Sequence, residues 1–469
     1  MLFFILFHLP RWVIFLLEST QHFGESYGWP WGSLSFLKRD PHGQPRQSSV
    51  SQRWFASEEQ VFFFKVKTTE EVLEIIQGFD SVGEEEIDIS SSSGRVLSRD
   101  MISPEDLPGF PRSSMDGFAV RAKDTFGASE SLPALLELRG EVLMGQIPTL
   151  IVEPGTAVRI STGGMVPEGA DAVAIIEHCH LLDETTIEVM RAASPQEHII
   201  RPGDDFAKGA AVLKMGRTLR PQDLGVMAGL GILKSSVYRR PRVAVISTGD
   251  EVIPIDREPR PGEIRDINTY TLVSFCELEG ALPVSLGLCP DQFEPLREMV
   301  GKGLEQADSV WISGGSSVGT RDLTVKVLES FPGMELLVHG ISVSPGKPTI
   351  LAKIGSKAVF GLPGHTASAM VIAEVFLKPF LGRLSGRGAD PLRDGRFVEA
   401  VLGRNIESAS GREDYIRVRL VPGKEGLTAE PLFGKSGLIS TLVEGDGLVR
   451  IPRNEEGLYR GDRVKVMIL

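Results

Sequence analysis

The segment Asp308–Ser330, DSVWISGGSSVGTRDLTVKVLES, restricts the folds open to this 469-residue chain more than any other stretch. Val310, Trp311 and Ile312 form a short apolar run of strand character. Ser313–Thr320 then reads as a loop, with Gly314 beside Gly315, several hydroxyls, and Gly319 further on. Leu323, Val325, Val327 and Leu328 follow as one apolar helical face. Strand, glycine-rich loop and helix is the order in which an α/β protein turns backbone N–H groups and a helix N-terminus toward an anion. Asp322 stands near the expected start of that helix. It can cap the helix, as aspartate commonly does, or face the ligand.

The chain is too long for one core, and at roughly 100–200 residues per domain it predicts three or four domains. A net charge of −12 excludes the basic footprint of a nucleic-acid binder. It also means that an anionic substrate needs local help from a cation or a helix terminus. Cys179, Cys276 and Cys289 are scattered and odd in number, with neither a disulfide framework nor zinc spacing, which points to a reducing, cytoplasmic setting. Met1–Leu17 is very apolar but is interrupted by Pro10 and Arg11 and is shorter than the roughly 20 residues of a membrane span. It also lacks the basic start and cleavage site of a signal peptide. Residues 1–61 are expected to be a disordered extension outside the core, conceivable as a mis-assigned start. A peripheral anchor is the weaker reading, and membrane contact is not expected.

The globular part begins at Thr68, which with Glu71 forms a capping box ahead of Val72, Leu73, Ile75 and Ile76. Residues 62–86 and 210–240 are expected to form a helical linker domain, with a glycine-capped helix over Pro221–Ser235. Between them, 87–209 shows short apolar runs parted by Gly and Pro turns, the pattern of a mostly β inserted domain. Over 241–389 the runs RVAVIS, PVSLGLC, SVWIS and AVFGL alternate with helices expected at Thr269–Leu278, Glu294–Gln306, Leu323–Ser330 and Ala367–Leu384. That alternation predicts a doubly wound, largely parallel sheet. Residues 390–469 return to β runs and predict a small barrel or sandwich. The fold class is therefore α/β plus β, in several domains.

Three strands of the α/β segment end in similar punctuation: Ser247-Thr248-Gly249-Asp250-Glu251, the Ser313 loop, and Pro363-Gly364-His365-Thr366. Ligands of open α/β sheets bind outside the carboxyl ends of the strands. Three polar, glycine-containing loops there predict one phosphate-bearing ligand. No GxGxxG follows the first strand, and Pro345-Gly-Lys-Pro348 departs from a Walker A ending, so Lys347 reads as a point charge on a stiff loop. Asp116, Asp205, Glu251, Asp291 and Asp322 form a second constellation of loop carboxylates, although each is also a common turn or cap former. If several meet at a phosphate, Mg²⁺ is their natural partner, since it binds through one or two carboxylates plus substrate oxygens. His178-Cys179-His180 continues a strand-like run, so neighbouring side chains point to opposite faces and the triplet reads as structural.

The run Pro111-Arg-Ser-Ser-Met-Asp-Gly-Phe-Ala-Val120 resembles the SxMDGYA motif of the molybdopterin molybdenumtransferases (MoeA and the E-domain of gephyrin). Ser161-Thr-Gly-Gly164, Ser247–Glu251, Ser313–Gly319 with Asp322, Pro345–Pro348 and Gly361–Gly364 resemble its further motifs, in the same order. The resemblance covers about Phe62 to Leu469. It implies insertion of molybdate into adenylylated molybdopterin, with Mg²⁺-dependent release of AMP, as the last step of molybdenum cofactor synthesis. It also implies an elongated homodimer whose active site is shared between the α/β domain of one subunit and the β domain of the other. Asp116, Asp205, Glu251 and Asp322 then correspond to the catalytic carboxylates, with Glu251 and Asp322 holding metal. Thr162, Asn268, Asp291, Gly314, Gly315, Ser317, Gly319, Lys347 and Pro363 correspond to substrate contacts. Two departures are visible: Ser344 stands where the family commonly has lysine, and His365-Thr366 replaces an Asn-Pro pair. The rival readings are a molybdopterin adenylyltransferase, on the strength of the α/β domain alone, and a non-catalytic cofactor carrier or scaffold.

Overall fold

A computed structural model describes residues 66–314, 318–387, 397–423, 426–435 and 437–469, the side chains of 318–322 excepted. The extension expected over 1–61 lies outside the described residues. The central sheet is built from β1 (Arg242–Thr248), β2 (Leu282–Cys289), β3 (Ser309–Gly314), β4 (Met334–His339), β5 (Ile350–Ile354) and β6 (Lys357–Leu362). Their spatial order is β2-β1-β3-β6-β5-β4. The first four run parallel, while β5 and β4 form an antiparallel edge. Helices α1 (Asn268–Leu278), α2 (Phe293–Gln306), α3 (Val318–Glu329) and α4 (Thr366–Ile372) connect or follow the strands.

The apolar runs are continuous because the sheet is covered on both faces. Val243, Val245, Trp311 and Phe360 belong to one core cluster. Their alternating neighbours Ala244, Ile246, Val310, Ile312 and Val359 belong to another. β1 lies between β2 and β3, so the chain steps one way to β2 and the other way to β3. This reversal leaves a crevice at the carboxyl ends of β1 and β3, where Thr248 pairs with Gly314 and Ser313 with Leu362.

The capping box forms as expected: Glu71 N donates to Thr68 Oγ1 at 3.3 Å and Thr68 N to Glu71 Oε2 at 2.8 Å. The helix Thr69–Gln77 that follows buries Val72 and Ile76 in the same cluster as Trp311 and Phe380. The expected linker carries more strand than anticipated. Glu84–Asp88 pairs antiparallel with Lys234–Tyr238, so the helix starting at Pro221 ends at Gly229 rather than Ser235. Gly231, with a left-handed φ of 67°, follows the cap residue Leu230 and stops the helix.

Residues 117–189 contribute a six-stranded sheet in the order 172–175, 117–120, 156–160, 134–142, 186–189, 179–181. Five strands of the C-terminal region close a ring: 413–423 pairs with 426–431, then 397–402, 463–468 and 447–451 follow, and the last returns to 413–423. The expected barrel or sandwich is therefore a barrel. Val343–Ser344 runs beside Glu413–Asp414 and ties this barrel to the α/β region.

Candidate active site

The crevice between β1 and β3 has a volume of about 290 Å³ and is lined by side chains from all three strand-end loops. Glu251, Asn268, Asp291 and Gly314, four of the residues expected there from sequence, meet in its wall. Gly314 is required by geometry. Its φ is 135°, and a Cβ there would stand 1.9 Å from the Thr248 carbonyl oxygen.

Asn268 opens α1 and ties the crevice together. Its amide nitrogen donates to Ser313 Oγ at 2.8 Å and to the Gly364 carbonyl at 2.7 Å, and its oxygen accepts from Thr366 Oγ1 at 2.7 Å. Both N–H groups and one lone pair are thus used within the protein, leaving a single lone pair for any substrate. Asp266, buried behind it, accepts from Ser247 Oγ and from Thr269 N, both at 3.0 Å, and so fixes the N-terminus of α1.

Thr248 Oγ1 donates to Asp291, whose own backbone N–H donates to Asp250 Oδ1 at 3.1 Å. Burial, with the neighbouring Asp250 and Glu251 carboxylates, holds the Asp291 carboxyl above the usual aspartate range, although the Thr248 hydroxyl pulls the other way. This concentration of negative charge favours a cation. Among the described residues no three His, Cys, Asp or Glu side chains converge on a metal position. Mg²⁺ uses one or two carboxylates and substrate oxygens, and Glu251 in the crevice wall offers one such donor.

Gly315 and Ser317 lie outside the described residues. Gly319 and Asp322 fall within α3, which begins at Val318, so Asp322 sits in the second turn and does not cap the helix. Val318-Gly319-Thr320 is weakly helix-forming, which hid the earlier start. The side chain of Asp322 lies outside the described residues.

Lys347 and Pro363 line a second cavity of about 810 Å³, between the Ser342–Pro348 loop and the barrel, and His365 borders both cavities. The sequence reading missed its other cations, Arg412 and Arg417. Arg417 Nη2 donates to the Gly434 carbonyl at 3.1 Å, but its buried Nε has no partner. Burial pushes this guanidinium down from its ordinary value. An arginine alternating into the buried face of YIRVRLV was the available signal. Gly346, with φ of 123° and a Cβ position 2.5 Å from Ile372 Cδ1, lets the Lys347 loop pass close to α4.

Asp116 and Thr162 come together on the inserted β sheet. Thr162 N donates to Asp116 Oδ1 at 2.7 Å. This backbone bond, and then the Thr162 side chain, hold the exposed Asp116 carboxyl below the ordinary range. Asp205 lies on the adjoining turn, its N–H donating to the Leu107 carbonyl at 3.1 Å. Ile199–Ile200 pairs with Arg112–Ser113 and joins these two loops. None of the three lines either cavity within the chain. The His178-Cys179-His180 triplet does not continue the strand: Ala172–Ile175 gives way to a 3₁₀ turn over Ile176–His178, and Cys179 (buried) and His180 (exposed) open a separate strand, Cys179–Leu181.

Residues 67–231 match the family model "MoeA N-terminal region (domain I and II)", 244–383 the "Probable molybdopterin binding domain", and 399–469 the "MoeA C-terminal region (domain IV)". The molybdopterin molybdenumtransferase of Nostoc is 30% identical over 406 residues, 85% of this chain and 92% of that protein. That of Haemophilus influenzae is 31% identical over 384 residues, 81% of this chain and 93% of that protein. A solved molybdopterin biosynthesis MoeA protein of Pyrococcus horikoshii is 37% identical, with a TM-score of 0.72, and covers 86% of this chain and 99% of that one. With its strand-end crevice, its cationic cavity and all three regions matched in order, this chain belongs to the MoeA family of molybdopterin molybdenumtransferases.

Proposed function

We propose that the crevice at Thr248 and Gly314 holds the phosphates of adenylylated molybdopterin, and that molybdate enters through the neighbouring cavity of Lys347, Arg412 and Arg417. The protein is an enzyme, a molybdopterin molybdenumtransferase; the finer reading is molybdate insertion with release of AMP. The observation carrying it is the uneven charge of the two cavities: Glu251, Asp266 and Asp291 with a single arginine, Arg265, around one, and a lysine and two arginines around the other, with His365 shared. A tetrahedral oxyanion suits the guanidinium groups of Arg412 and Arg417 in this wall. Lys347 adds a second charge where Ser344 supplies none.

Glu251 and Asp322 would hold Mg²⁺, which when bound offsets the charge of the phosphoanhydride. Asp291 and Thr248 orient that end of the crevice through their mutual hydrogen bond. Asp116, aligned by Thr162, and Asp205 complete the site from a second subunit. The support for a homodimer is that Asp116, hydrogen-bonded to Thr162, and Asp205 are exposed and line neither cavity.

The test uses purified protein with adenylylated molybdopterin, molybdate and Mg²⁺. Wild type should release AMP. Asp116→Ala should melt at the wild-type temperature, yet release AMP at least about 100-fold more slowly, the scale typical of a lost catalytic group. Undiminished release would remove Asp116 from the site. Formation of the adenylyl adduct from molybdopterin and ATP would instead favour an adenylyltransferase.

A further inference from the structure

Arg265 is the arginine of the acidic crevice, and among the described residues it enters no ion pair. It lies in the crevice lining with Glu251, Asp266 and Asp291. Its neighbour Arg257 is paired, Nη2 standing 3.1 Å from Glu263 Oε1. Arg265 does otherwise: its Nε donates at 3.1 Å to the Arg257 carbonyl, an uncharged acceptor. That contact anchors the stem of the guanidinium and leaves both terminal nitrogens available.

The backbone beneath it is braced. Val252–Ile253 pairs in parallel with Ile264–Arg265, and Asp266 N donates to the Ile253 carbonyl at 2.9 Å. The turn between is closed by Glu263, which accepts from Arg260 N at 2.9 Å. On either side of Arg265 and Asp266, Ile264 and Ile267 line the same crevice while 54% and 40% exposed. A fixed guanidinium fork flanked by exposed apolar side chains suits a ligand that carries a ring beside a phosphate.

We infer that Arg265 is a substrate-binding residue that grips a phosphate of the adenylylated pterin, with Ile264 and Ile267 as an apolar shelf for the adjoining ring. The inference rests on the crevice being the phosphate site of the reaction proposed above. It assigns the cation that lets an otherwise acidic wall accept an anion, a role distinct from that of Lys347 and Arg417 in the second cavity. Its geometry also sets a preference: a planar fork reads two phosphate oxygens together, which a lysine ammonium cannot do.

The experiment compares wild type, Arg265→Gln and Arg265→Lys in AMP release and in direct calorimetric titration with ADP. Arg265→Gln should raise KM for adenylylated molybdopterin about tenfold or more, the scale of a lost charge-assisted pair, with kcat changed less than about threefold and KM for molybdate unchanged. ADP should bind correspondingly more weakly, and raising salt should weaken the wild type more steeply than the glutamine variant. Arg265→Lys should recover only part of the loss. Equal KM and equal ADP binding in wild type and Arg265→Gln would overturn the assignment while leaving the reaction intact. If wild type releases no AMP at all, the reaction itself falls.

Discussion

The strand-end crevice and the Asp116 loop are both built around carboxylates, but by opposite means. At the crevice, Asp291 is partly buried beside Asp250 and Glu251, and its carboxyl is driven up by desolvation and like charge. At the loop, Asp116 is exposed, and its carboxyl is driven down by hydrogen bonds from Thr162. One region stores electrostatic repulsion inside a wall, whereas the other presents a stable anion on a surface. The difference teaches that the crevice couples its chemistry to its fold and the loop does not. Substitutions in the crevice should move stability and activity together, while Asp116→Ala should move activity alone.

Gly314→Ala should give the largest crevice effect. A Cβ 1.9 Å from a carbonyl oxygen, at φ of 135°, forces β1 and β3 apart. The expected loss is about 3 kcal/mol, from overpacking and backbone strain together, read as a lower denaturation midpoint alongside lost AMP release. A wild-type midpoint would show that the crevice tolerates separation of its strands. Asn268→Ala comes next. It removes three internal hydrogen bonds and leaves Ser313, Gly364 and Thr366 without their partner, so stability should fall by about 2–3 kcal/mol. KM should rise as the loops lose their mutual registration. A change in KM with no change in stability would recast Asn268 as a direct ligand contact.

Asp291→Asn should have the smallest effect on stability, and one that depends on pH. An aspartate whose folded pKa is raised makes the native state bind its proton more tightly than the unfolded chain does. Native stability therefore increases as pH falls through that raised value, and at pH 7 the ionised form is a liability. The asparagine variant should match or slightly exceed wild type in thermal melts at pH 7, and lose that advantage below the usual aspartate range near 3.8. Asp116 has the contrary sign, but solvent screening of so exposed a carboxylate leaves its contribution too small to move the melt. A melting advantage for Asp291→Asn that persisted at low pH would assign it to packing.

The α/β core could be read from sequence because burial on both faces writes itself as unbroken apolar runs, RVAVIS and SVWIS among them. The antiparallel edge could not. MELLVH and ILAKI are short and mixed, and their pairing depends on β6 rather than on any local period. The crevice was partly legible, since Glu251 and Asp291 sit in loops, and Gly314 ends β3 ahead of one, whose glycines and polar residues announce a strand end. Asn268 was foreseen as a contact but not as a brace, because its partners lie 45, 96 and 98 residues away. Arg417 escaped notice because a buried arginine contradicts the usual sorting of charge to the surface. Arg265 escaped for the opposite reason: an exposed arginine in a charged loop has no distinguishing pattern until its neighbours are seen to be paired and it is not.

The bracing by Asn268 also bears on the thermodynamics of recognition. Ser313 at the end of β3 and Gly364–Thr366 after β6, already held together by Asn268, lose little conformational freedom when a ligand arrives, so little ordering entropy is subtracted from the affinity there. Binding against this part of the crevice should therefore resemble docking to a rigid wall, with Ser313 and Gly364–Thr366 nearly superposable between free and occupied states and a modest entropic penalty. Any slow conformational step in turnover would then arise elsewhere in the assembly, leaving the strand ends as the fixed reference against which the reacting groups are brought into place.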